Sequence, residues 1–204
     1  MKRFRIGGAG VAALMVVFAD GGVAQAPAVA QHAPEGWMLA GSKPASYRTG
    51  VDAQVVHEGL PSAYLASAMP ETGGFGTLMQ YVSAENYAGK RVRLRASVRS
   101  EGVSHWAGLW MRVDKGEKSV AFDNMQKRAV TGTTQWQTYD VVLDVPKDAT
   151  GIGFGMLLDG PGQAWMSGLQ FDVVGPEVAV TDMMAGEQAS PKVPVTPVNL
   201  KFER

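Results

Sequence analysis

The sequence contains no cysteine in its 204 residues, which excludes disulfide staples, thiolate metal sites and cysteine nucleophiles. It has only three histidines, His32, His57 and His105. They form no metal-binding spacing and complete no Ser-His-Asp order. Charge of one sign is also missing, with 19 basic against 19 acidic side chains. Binding to a phosphate backbone is driven by an excess of Lys and Arg, so nucleic acid is not an expected partner. Long apolar runs are absent too. The longest, Ile6 to Ala19, falls short of the ~20 residues a permanent membrane helix needs and carries Gly7, Gly8 and Gly10.

That run suits a different purpose. It follows Lys2, Arg3 and Arg5 and leads to small residues ending Ala24-Gln25-Ala26, the three-part layout of a secretory signal. The expectation is cleavage after Ala26 and a periplasmic or secreted protein with no stable membrane span. Ala28-Val29-Ala30 offers a second cut before Gln31. Losing residues 1–26 removes three basic side chains and one acidic one, Asp20, leaving a nearly neutral chain of about −2. Residues 27–34 then read as a linker and 35–174 as one domain. Without disulfides its core must suffice, and a domain of roughly 140 residues buries about two thirds of its unfolded surface.

From Trp37 to Val174 the segments between Gly, Pro, Asn and Asp read at period two. Arg91 to Arg99 is the clearest: Val92, Leu94, Ala96 and Val98 alternate with Arg91, Arg93, Arg95, Ser97 and Arg99. One face is apolar and one is a solvated arginine stripe, as in an antiparallel sheet with one wet side. Further strands are expected at Ser62–Met69, Phe75–Val82, Trp106–Asp114, Gln137–Val145, Ile152–Leu158 and Ala164–Val173, with a helical turn at Ala84–Tyr87. Pro146 ends the fifth set, because proline donates nothing to a ladder. Many short strands at regular spacing point to an all-β antiparallel sandwich or jelly roll.

The stretches Pro34 to Trp37, GLPSAYL from Gly59, FGTLMQ from Phe75, GLWMRVD from Gly108, AFDNM from Ala121 and TQWQTYDVVLDVP from Thr134 resemble a galactose-binding-like jelly-roll domain. The resemblance runs through Gly162 to Phe171. Domains of that kind occur C-terminal in AraC-type transcriptional regulators and N-terminal in some exported hydrolases. Here the segment ahead of the domain reads as a signal rather than a helix-turn-helix. The closing strands, led by Trp136 and ending with Gly162-Gln163-Ala164-Trp165, also resemble those of carbohydrate-binding modules. Fold likeness of this sort says little about a ligand.

After Val174, residues 175–197 carry Pro176, Pro191, Pro194 and Pro197 and read as an extended, flexible tail. In 198–204, Val198, Leu200 and Phe202 alternate with polar residues like a strand. Relatives with an exported-hydrolase layout place a similar Asn-Leu-x-Phe-Glu strand ahead of the Pro-x-Gly-Trp element. The expectation is that this segment returns to fill an open sheet edge.

Ligand chemistry centres on Trp106–Asp114. With Ala107, Leu109, Met111 and Val113 turned inward, the other face shows Trp106, Trp110, Arg112 and Asp114. Indoles beside planar hydrogen-bonding groups suit a sugar ring, whose C–H face stacks while its hydroxyls seek paired donors and acceptors. Gln80, Asp123, Asn124 and Arg128 are candidates to complete the patch. The bland alternative is packing of the indoles under a loop and a structural Arg112 pairing with Asp114 or Asp123.

No catalytic residue and no cofactor is expected. Asp114 with Asp123 could be imagined as a glycosidase pair, but nothing suggests that either is held protonated. No EF-hand loop marks calcium. Glu71 to Gly74 and Gly151 to Gly155 lack a P-loop lysine and read as a turn and as a strand closely approached by backbone. The expected function is therefore a non-catalytic binding module for a glycan or similar polyol. The alternative is an envelope interaction or sensory domain with a protein partner.

Overall fold

The computed structural model of the chain describes residues 32–185. The signal-like segment 1–26 and the strand-like segment 198–204 lie outside the described residues. Within them the strands are β1 (Met38–Gly41), β2 (Tyr47–His57), β3 (Leu60–Ser67), β4 (Phe75–Ser83), β5 (Arg91–Lys115), β6 (Lys118–Asp123), β7 (Val130–Asp144), β8 (Gly151–Asp159) and β9 (Gln163–Val174). Every pairing is antiparallel.

β5 belongs to two sheets. Its first half lies between β7 and β9, and β9 continues through β3 to β2, making a back sheet. Its second half lies between β6 and β8, and β8 continues through β4 to β1, making a front sheet. Two antiparallel sheets packed face to face make the sandwich, an all-β jelly roll.

The segments Arg91–Arg99 and Trp106–Asp114, expected as two strands, are one bent strand. Register shifts between Val98 and Ala107, with Gly102 at φ 58°, swap the sides of the chain. The inward row is even-numbered before the shift (Val92, Leu94, Ala96, Val98) and odd-numbered after it (Ala107, Leu109, Met111, Val113), and all eight are fully buried. An inserted residue exchanges the faces of a strand, so one continuous segment serves both inner faces. β1, β2 and β6 add to the strands that the alternation predicts. All three are edge strands: β1 is only four residues long, and polar and charged residues blur the alternation in β2 and β6. Ala84 to Tyr87 is a turn closed by the Tyr87 amide on Ala84 O at 2.9 Å.

Between the sheets, Phe154 of the front stacks on Phe171 of the back at 4.5 Å, with Trp37 edge-on to Phe154 and Tyr87 edge-on to Phe171. On the outward back face the arginines are paired: Arg91 with Asp144, Arg93 with Asp172 and Arg95 with Asp140. Arg99 lies over the Trp165 ring. The stripe is the outward face that its alternation suggested, and acids of the neighbouring strands neutralise three of its arginines.

Residues 175–185, the described part of the segment after Val174, form turns and irregular chain held to the sandwich. The carbonyls of Pro176 and Val178 accept from Arg91 Nη1. The Thr181 amide donates to Val142 O at 2.8 Å, and the Met183 amide to Phe122 O at 2.8 Å. The segment thereby bridges the free edges of β7 and β6.

Candidate functional site

The outward face of the front sheet is paved by glycine. Gly151, Gly153 and Gly155 of β8 alternate with the buried Ile152, Phe154 and Met156, so three successive outward positions carry no side chain. Larger neighbours lie down over them. A methyl group at Gly151 would collide with Tyr81, one at Gly153 would meet the Trp110 ring at 3.2 Å, and one at Gly155 would run into the backbone of Leu78 and Met79. The Trp110 indole crosses β8 and donates from Nε1 to Thr77 Oγ1 of β4 at 2.7 Å. It is 7% exposed, yet lies outside the core between the sheets.

Arg112 follows on the same row. Its Nε and Nη2 donate to Asp114 Oδ2 at 3.1 and 3.0 Å. Asp114 is buried and also accepts from Tyr81 Oη at 3.2 Å and Ser119 Oγ at 3.1 Å. Desolvation of the phenol, then the Asp114 charge and hydrogen bond, push Tyr81 above the ordinary tyrosine range, which keeps its hydroxyl protonated as a donor. The Arg112 side chain is 41% exposed, against 8% for that of Asp114. Two of its five N–H donors are thus fixed on the carboxylate, leaving others for an approaching group.

A groove of about 370 Å³ opens beside this pair. Trp110 forms its floor, Phe122, Met79, Phe75 and Leu157 form apolar walls, and Arg112 stands at its polar side. Trp110, Arg112 and Asp114 are thus brought together on the outward face, as the alternation suggested. The Trp110 indole lies flat on the glycine lane with its N–H already satisfied, so it is a floor and not a free-standing plate.

The remaining candidates lie elsewhere. Trp106 shares the outward row but sits beside Asp159, four positions and about 13 Å along the strand from Trp110, and does not line the groove. Gln80 is on the inward face, paired in register with Phe154, because it shares the parity of buried Leu78. Asp123 pairs with inward Met111 and is fully buried. It is clamped by Arg128 at 2.7 and 3.2 Å and by the Met125 amide at 2.8 Å. Asn124 Oδ1 accepts from the Gln126 amide. Asp123, Asn124 and Arg128 therefore shape the β6–β7 connection around left-handed Met125 (φ 62°) and are not brought to the groove. Asp114 and Asp123 face opposite sides of the sheet, so they form no carboxylate pair.

Phe122, Met79, Thr77 and Leu157 were missed as site residues. Their signal lay in β8: glycine at every second position of Gly-Ile-Gly-Phe-Gly marks a lane on which neighbouring side chains rest.

The fold is an all-β antiparallel jelly-roll sandwich, the architecture of the domains its residues resemble. No protein-family model matches the chain. It is 45% identical over 172 residues to an uncharacterized HTH-type transcriptional regulator, YbfP, of Bacillus subtilis, covering 83% of this chain and 57% of that protein. The chain thus spans little more than half the length of the curated relative it matches. Among solved structures it is similar to an apo cyclase from Fischerella sp. (TM-score 0.52, 14% identity, 74% of this chain and 90% of that one). It is likewise similar to the Stig cyclase Fisc from Fischerella sp. TAU (TM-score 0.51, 12% identity, 76% and 93%). At such identity the likeness is one of fold.

Proposed function

We propose that this chain is an exported, non-catalytic binding module that holds a glycan or similar polyol in the front-sheet groove. The reading rests on Arg112, oriented by buried Asp114 and exposed over an apolar groove. Such a site supplies a planar fork for paired hydroxyls or a sugar acid and a carbon-lined wall for the C–H face of a ring. Export rests on the signal-like residues 1–26. N-terminal sequencing of the protein from an envelope fraction tests it, with Pro27 expected first.

The binding test is a broad glycan panel followed by tryptophan emission and calorimetry. At least one glycan is expected to shift the emission of the wild type, and Arg112→Ala is expected to abolish that shift in a variant that still folds by circular dichroism. A panel that leaves both signals flat defeats the carbohydrate assignment.

The relative named above is also consistent with a second reading, in which the same domain is the ligand-sensing or partner-binding part of a regulator. In that case the groove answers to a small molecule or a protein in the same assays while every glycan fails.

A further inference from the structure

The described chain ends beside the groove. Phe122, a groove wall, donates its amide to Asp182 Oδ1 at 3.0 Å and accepts the Met183 amide at 2.8 Å. The chain beyond Ala185 thus starts a few residues from that wall. Further on it carries Val198, Leu200 and Phe202 alternating with Asn199, Lys201 and Glu203. An extended segment in that order shows three apolar side chains to one side and three polar ones to the other.

The face it would meet is apolar and open. Met79 and Phe122 line the groove half-buried, and Met38, opposite Met79 in register, is 48% exposed at the sheet edge. Apolar side chains left uncovered around a recess mark an interaction surface. The spacer 186–197 has ample reach, since a chain spans roughly 3.3 Å per residue and five strands at ~4.8 Å spacing make a sheet only about 19 Å wide.

We propose that Val198–Phe202 dock in the front groove as an extended segment, with Leu200 and Phe202 set against Trp110 and Phe122, so that the module carries its own competitor. This rests on the groove being the ligand site. A tethered segment reaches an effective concentration of order millimolar, so modest affinity suffices to occupy the groove. A ligand then binds by displacing it.

Anilinonaphthalene sulfonate, a flat apolar dye with one anionic group, is the probe for groove and guanidinium together. Removing Val198 to Arg204 from the full chain is expected to tighten dye binding about tenfold, as freeing a largely occupied site does. The full-length double substitution Leu200→Asp with Phe202→Asp is expected to do the same, which keeps the test available if the truncated chain folds poorly. A synthetic peptide of residues 197–204 should release dye from the truncated chain, and Met79→Lys in that chain should remove binding of both dye and peptide.

Equal dye affinity of full and truncated chains, or a peptide that releases no dye, overturns the proposal. So does masking that grows with protein concentration, the sign of a segment docking on a second copy. A glycan that binds full and truncated chains equally refutes the docking and leaves the proposed function standing. Dye release by the peptide with no glycan bound by either form does the reverse.

Discussion

On the outward back face, Arg91, Arg93 and Arg95 each meet an acid from a neighbouring strand, whereas on the outward front face Arg112 is held by Asp114 of its own strand among glycines and apolar side chains. Both faces look away from the core, and both carry arginine and tryptophan. The back spends its guanidinium groups on cross-strand pairs that tile the surface. The front clears a lane with Gly151, Gly153 and Gly155, lays an indole across it, and leaves one anchored guanidinium beside open space. Paired charges alone make a soluble sheet. A recess needs missing side chains as well.

The contrast can be broken at four places. The largest effect is expected at the lane: Gly155→Val drives a side chain into the backbone of Leu78 and Met79 and should cost about 3 kcal/mol in chemical denaturation, the upper range for overpacking. A cost below about 1 kcal/mol would mean that the lane is not tightly covered. Next comes the anchor. Asp114→Asn keeps the shape but removes the charge that holds Arg112, and ligand affinity is expected to fall about tenfold by calorimetry, the loss of roughly one charge-assisted hydrogen bond.

On the back face a double-mutant cycle between Arg95→Ala and Asp140→Ala should give a coupling below about 1 kcal/mol, because the pair is partly exposed. That coupling should shrink further in molar salt; a strong, salt-insensitive value would show that the back ladder does more than tile a surface. The smallest effect is a pH signature at Asp52. Burial pushes its carboxyl up, but the Val55 amide, the Trp165 indole, the Gln54 amide and the Arg99 charge outweigh it and hold Asp52 below the ordinary carboxylate range. A depressed folded value means that the stabilisation is present above the unfolded pKa and is lost as pH falls through the folded one. Asp52→Asn should therefore flatten the melting curve against pH below about pH 4 and leave its neutral-pH slope unchanged.

Much of this architecture was legible in the chain. The alternation in Arg91–Arg99 identified an inner row and an outward row correctly, and Trp106–Asp114 did the same for the strand with the groove. Strand parity placed Trp110, Arg112 and Asp114 on one outward face because period two is a property of the single strand. It could not place Asp123 or Arg128, which depend on how β6 registers against β5. Gln80 shows a narrower failure, since its own parity with Leu78 already assigned it to the inward face. The joining of two strands into β5 escaped notice because the bulges near Gly102 reverse the pattern, and a reversed pattern looks like a break. Phe122 and Met79 become walls only through cross-strand neighbours that no local spacing encodes.

The shared strand has a consequence for how the molecule comes apart. Most residues of β5 have ladder partners on both edges, from one sheet in its first half and the other in its second. Neither layer can peel away without rupturing the backbone ladder of the other, so the two should melt together as one cooperative unit. Amide protons along β5 should be the last to exchange with solvent.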